Sequence, residues 1–168
     1  MKTLIVYYSL SGNARVVADS LAAEIGGTVA EIHCRRYRPG LWGETLAAWD
    51  NRGDYRPKIE ALAHRVEDFD LVILGGPVWA SRPAAPLRSF LHRVAGRLPQ
   101  TALFLTHGGS PAEAAFTEME TLAGQAPVAR LAVLNADLKT GGLSAKLKAF
   151  ASELEAARPQ AKLAMVAE

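Results

Sequence analysis

Three short stretches of the chain carry side chains suited to holding a small anionic ligand. The first, Ser9-Leu10-Ser11-Gly12-Asn13-Ala14, supplies two hydroxyls, a glycine and a carboxamide where a helix begins. Free backbone N–H groups at a helix start attract anions, so a phosphate can sit there. No Lys or Arg precedes Arg15 in this stretch, so amides and the Ser9, Ser11 and Asn13 side chains would hold the phosphate in place of formal charge. Ser and Asn are also good helix caps, and the stretch by itself allows either role. The second, Gly75-Gly76-Pro77-Val78-Trp79-Ala80-Ser81-Arg82-Pro83, sets Trp79 between stiffening prolines, where a planar ligand can stack on the indole. Packing of Trp79 against Trp42 or Trp49 is the competing arrangement. The third, Thr106-His107-Gly108-Gly109-Ser110, has adjacent glycines that let the backbone approach a flat ring edge. Together the three suit one planar, phosphorylated ligand.

Other chemistries lack their residues. The G-x-x-x-x-G-K-[ST] pattern is missing and no G-x-G-x-x-G follows the first strand, which disfavours nucleotide hydrolysis and a dinucleotide site. The single cysteine, Cys34, excludes an internal disulfide framework and a Cys-built metal site. It follows the second strand, whereas a cysteine-dependent phosphatase would carry its nucleophile after the first, and no acid partner stands beside it. Arg35 and Arg36 give it an electropositive neighbourhood able to lower its pKa, yet a structural role is the expectation. A phospho-accepting receiver would need an Asp ending the third strand, where Gly75-Gly76-Pro77 stand instead.

The elements that must position these stretches alternate. Leu4–Tyr8 is an apolar, β-branched and aromatic run that reads as a strand buried on both faces. From Asn13 onward, Ala14, Val17, Ala18, Leu21, Ala22 and Ile25 fall on one helical face, and Gly26-Gly27 ends it. Strands follow at 28–33, 71–74, 102–106 and 131–134, with helices carrying Leu87, Phe90, Leu91 and Val94, at about 112–122, and at 143–157. Five apolar strands alternating with amphipathic helices predict a parallel sheet covered on both faces, a doubly wound three-layer α/β/α sandwich. In such sheets ligands bind beyond the carboxyl ends of the strands, which is where the three stretches fall. The 34–58 stretch breaks the rhythm, and Leu46 and Trp49 within 41–50 predict a short covering helix there.

With 168 residues, 49% hydrophobic and 21% charged, the chain reads as one domain over 1–157 with a tail at 158–168. Its net charge of +2, with no basic run beyond Arg35, Arg36 and Arg38, does not suggest nucleic acid. One cysteine fits a reducing compartment, making the cytoplasm the default. No apolar run approaches the roughly 20 residues of a membrane helix, so neither membrane insertion nor secretion is expected.

Ser9-x-Ser11-Gly12-Asn13 resembles the flavodoxin phosphate fingerprint [ST]-x-[ST]-G-N-T. Gly76-Pro77-Val78-Trp79 with Pro83, Pro86 and Phe90-Leu91, and then Thr106-x-Gly108-Gly109-Ser110, is similar to the flavin-ring loops of flavodoxin-like proteins. The resemblance runs in order over nearly the whole chain. It implies a five-stranded parallel sheet of order 2-1-3-4-5 holding FMN non-covalently. The phosphate would lie at Ser9, Ser11, Gly12, Asn13 and Ala14. The isoalloxazine would lie between Pro77, Val78, Trp79 and Ala80 on one loop and Thr106, His107, Gly108 and Gly109 on the other.

Four departures bear on function. Ala14 replaces the final Thr of the fingerprint, losing one hydroxyl and weakening FMN by roughly tenfold. The third stretch lacks the tyrosine that many electron-transfer flavodoxins stack on the outer ring face, leaving that face open or covered by residues 37–55. Shuttle flavodoxins are acidic, whereas this chain is slightly basic. Finally, Ala80-Ser81 lacks the glycine that eases a peptide flip, and Ala or Ser is expected to resist φ > 0, giving weaker semiquinone stabilisation. These departures favour an FMN-dependent oxidoreductase, reducing a quinone or similar small acceptor with electrons from NAD(P)H. A flavodoxin-type one-electron carrier and a flavin-less interaction domain are the alternatives. Arg82 and His107 would flank the ring and hold a nicotinamide phosphate, a quinone oxygen or reduced-flavin charge; a solvated loop charge and a loop cap are their bland counterparts. Trp42 and Trp49 would shield the flavin edge or make a contact of a homodimer.

Overall fold

Successive side chains in a strand point to opposite faces, and both sets are apolar here. Leu4, Val6, Val72, Leu74, Leu103 and Leu105 face one layer, while Ile5, Tyr7, Leu71, Ile73, Ala102 and Phe104 face the other. That pattern only suits a sheet covered twice. The structure, a computed structural model, describes residues 1–158. Its parallel sheet comprises β1 (Thr3–Tyr7), β2 (Thr28–Glu31), β3 (Leu71–Trp79), β4 (Gln100–His107) and β5 (Arg130–Leu134), in the order β2-β1-β3-β4-β5. The expected order 2-1-3-4-5 is therefore found. Helices α1 (Asn13–Ile25) and α6 (Leu143–Ala156) cover one face; α3 (Ala85–Arg93) and α4 (Glu113–Ala123) cover the other. The predicted covering helix is α2 (Leu41–Arg52), and a short α5 (Asp137–Thr140) precedes α6.

The largest departure from the sequence reading is β3. Gly75, Gly76 and Pro77 look like strand breakers, yet they continue the ladder opposite Phe104, Leu105 and Thr106 of β4. Gly75 is required by packing, because a Cβ there would overlap the Phe104 ring. Beyond Pro77 the chain folds back, and Val78 and Trp79 pair antiparallel with Pro83 and Arg82. The second strand also ends at Glu31, short of His33, although the Ile32 N–H still donates to the Tyr7 carbonyl at 2.7 Å. Most of the tail at 158–168 lies outside the described residues. No described helix is long and apolar enough to cross a membrane.

Candidate functional site

The first stretch turns from β1 into α1 through Gly12, whose φ of 94° places it in the left-handed region that glycine adopts freely. Ser9 Oγ accepts from the Gly12 N–H at 3.1 Å and the Arg15 N–H at 3.4 Å. Ser9 thus takes up a capping role, and its own O–H remains free to donate. Ser11 and Asn13 line a cleft at the carboxyl end of the sheet. Ala14 is 1% exposed and its methyl packs in the core with Val17 and Leu21, so only its backbone can serve a ligand. Arg15 is engaged elsewhere, holding Glu31 with Nη2 at 2.9 and 2.8 Å from the two carboxylate oxygens.

The cleft measures about 330 Å³ and draws on all three stretches: Ser11 and Asn13, then Pro77, Val78, Trp79 and Ala80, then Thr106, His107 and Gly108. That volume lies in the range of small-molecule sites. Gly109, with φ 131°, turns the chain away and does not line it. Leu10, Glu44, Ala48 and Asn135 complete the wall, none of them singled out from sequence. Asn135 directly follows β5, and its position at a strand's carboxyl end was the available signal. Two side-chain atoms at this wall, His107 Nδ1 and Asn135 Oδ1, are buried without a hydrogen-bond partner among the described residues.

Trp79 meets Tyr8 and Tyr37 edge-on, with ring centroids 5.5 and 5.4 Å apart. The competing arrangement, packing against Trp42 or Trp49, does not occur. Those two indoles stand 87% and 72% exposed on the outer face of α2, because the inner face is taken by Ala47, Asp50 and Asn51. Neither lines the cleft. Burial raises the pKa of the Tyr8 and Tyr37 hydroxyls, and Tyr37 also donates to Asp50 at 3.0 Å. The Arg36 guanidinium, at 2.6 Å, holds the Asp50 carboxyl below its usual range. Cys34 moves the other way from the electropositive expectation: burial raises its thiol pKa.

Arg82 is not a ligand arm. Its Nε and Nη2 bind Glu118 at 2.9 and 2.6 Å, and Nη1 donates to the carbonyls of Gly53 at 2.6 Å and Asn51 at 3.3 Å. The guanidinium therefore clips the hairpin to α4 and to the end of α2, where unpaired helix carbonyls favour a cation. The turn itself departs from expectation as well. Ala80 and Ser81 have φ of 48° and 62°, so both residues expected to resist the left-handed region adopt it. The reason is the two-residue hairpin, whose twist demands positive φ at both central positions. The strain is about 1–2 kcal/mol per residue.

No protein-family profile matches the chain. Among solved structures, it is similar to a flavoprotein from Lactobacillus acidophilus determined in complex with FMN, at 25% identity and a TM-score of 0.68, covering 85% of this chain and 98% of that one. The fold is flavodoxin-like. A Streptococcus pneumoniae flavodoxin aligns over 93% of this chain and 99% of its own at 16% identity and TM-score 0.58. A flavodoxin, WrbA-like protein from Agrobacterium tumefaciens aligns over 94% and 97% at 16% identity and TM-score 0.59. In this flavodoxin-like chain the cleft lies where β1 and β3 end side by side, the point at which the strand order reverses.

Proposed function

We propose that the chain is an FMN-binding oxidoreductase that passes electrons from NAD(P)H to a quinone or similar small acceptor. The observation carrying the FMN reading is the cleft itself. It unites a helix-start stretch with Ser11 and Asn13, an indole wall, and two buried polar atoms without partners, His107 Nδ1 and Asn135 Oδ1. A ring system with hydrogen-bonding edges would satisfy those atoms, and a phosphate would meet the Ser9 O–H, Ser11, Asn13 and the free amides at the start of α1. Bound FMN would supply hydride and electron chemistry. The chain's own task is to orient that group, exclude water from its inner face with Trp79, which Tyr8 and Tyr37 back edge-on, and leave an opening for small substrates.

A one-electron carrier is the second reading. It is favoured by the Ala80-Ser81 turn, which already holds the positive φ that was expected to be resisted. Anaerobic titration separates the two: bleaching by NADPH without a long-wavelength band supports the oxidoreductase. A persistent semiquinone under dithionite with no response to NADPH supports the carrier. We further propose a homodimer through the outer face of α2, where Leu41, Trp42 and Trp49 are exposed. Sedimentation equilibrium of the Trp42→Asp, Trp49→Asp chain should show a monomer where the unmodified chain shows a dimer.

A further inference from the structure

The cleft wall contributed by Trp79 and Ala80 ends in a two-residue hairpin with no glycine at either positive-φ position. Such turns favour Asn-Gly and similar pairs, so Ala80-Ser81 would not hold this shape by local preference. Something outside the turn must hold it.

Asn51 is placed to do so. It is fully buried on the inner face of α2, and its Nδ2 donates to the Trp79 carbonyl and, at 3.5 Å, to the Arg82 carbonyl. Those are the two carbonyls at the feet of the turn. Its Oδ1 accepts from Arg88 Nη2 at 3.1 Å, and Arg88 is 2% exposed. Both ends of the carboxamide are thereby fixed, so the side chain cannot swing away from the turn. In a trans peptide the carbonyl and the following N–H point in opposite directions. Holding the Trp79 carbonyl therefore also fixes the direction of the Ala80 N–H, on a residue that lines the cleft. Asn51 itself does not line the cleft.

We propose that Asn51 is a positioning residue that clamps the Trp79–Arg82 hairpin in its left-handed turn and so shapes the cleft wall for its ligand. The part concerning FMN rests on the functional reading above; the part concerning the turn does not. Three features support the clamp: donation to both feet of the turn, the full burial of Asn51, and a turn sequence without glycine.

The test compares Asn51→Asp with the unmodified chain. Aspartate keeps the acceptor for Arg88 but has no N–H for the carbonyls. In the protein without flavin, the carbon chemical shifts of Ala80 and Ser81 report the sign of φ; they should move from left-handed values in Asn51→Asp. The Kd for FMN should rise about tenfold, the size of one hydrogen bond's loss. Introducing Ala80→Gly and Ser81→Gly into the Asn51→Asp chain should restore FMN affinity to within about threefold, because glycine takes positive φ without a clamp. Should the buried carboxylate prevent folding, Asn51→Ala replaces it in the same comparison. Unchanged Ala80 and Ser81 shifts in the variant would overturn the proposal. So would an affinity loss that the glycines fail to restore, since that marks general destabilisation. If the unmodified chain binds no FMN, the functional reading fails, and the chemical shifts alone decide the clamp.

Discussion

Replacing Arg82 with methionine distinguishes a clip from a ligand arm. Methionine preserves much of the aliphatic stem while removing the guanidinium, and with it two bonds to Glu118 at 2.9 and 2.6 Å and two to the carbonyls of Gly53 and Asn51. The two charged side chains are 29% and 23% exposed, so water replaces part of what is lost. Hydrogen bonds to charged groups contribute about 1.5–3 kcal/mol each when buried, and partial exposure brings the whole clip to about 2–3 kcal/mol. For a domain of this size that corresponds to a fall in Tm of about 4–12 °C. Urea unfolding of Arg82→Met, Glu118→Gln and the double variant gives the coupling between the two residues, expected to be at least about 1 kcal/mol. A ligand arm would behave differently, with unchanged stability and a raised KM for NADPH. Stability of Arg82→Met within about 0.5 kcal/mol of the unmodified chain, the ordinary range for a neutral surface change, would refute the reasoning.

Two further outcomes follow from the same geometry. Ser11→Ala should raise the Kd for FMN by about tenfold while leaving riboflavin, which has no phosphate, unchanged; a flavin fluorescence titration of both ligands reads the difference. Asp50, whose pKa is lowered chiefly by its bond to Arg36, contributes stability that is present above the unfolded carboxylate value of about 3.9 and lost as pH falls through its lowered folded value. Asp50→Asn should therefore be less stable at pH 7, with its stability curve converging on that of the unmodified chain in acid; parallel curves down to pH 2 would contradict the assignment.

Much of the fold was legible because two signals agreed. Fully apolar runs such as Leu71–Leu74 and Ala102–Leu105 alternated with helices of clear periodicity, and the residues after each strand were the unusual ones. The convergence of Ser11, Asn13, Trp79 and His107 on one cleft followed from the topology. What stayed hidden depended on tertiary partners. Gly75-Gly76-Pro77 reads as a break until Phe104 is known to need the space beside Gly75. Arg82 looked like a free cation because Glu118 lies 36 residues away. The Ala80-Ser81 turn contradicted local preference because the pairing of Trp79 with Arg82 and the bond from Asn51, 28 residues from Trp79 on a helix with weak sequence signal, are tertiary features. Asn135 carried a positional signal that its lack of any motif obscured.

The most direct measurement is a titration of the purified protein with FMN, followed by visible absorption and by quenching of flavin and tryptophan fluorescence, and completed by anaerobic addition of NADPH. Saturable binding of about one flavin per chain is expected, with the quenching lost in a Trp79→Ala variant, and bleaching of the bound flavin by NADPH. A colourless protein that leaves FMN fluorescence unchanged at micromolar concentrations would contradict that expectation.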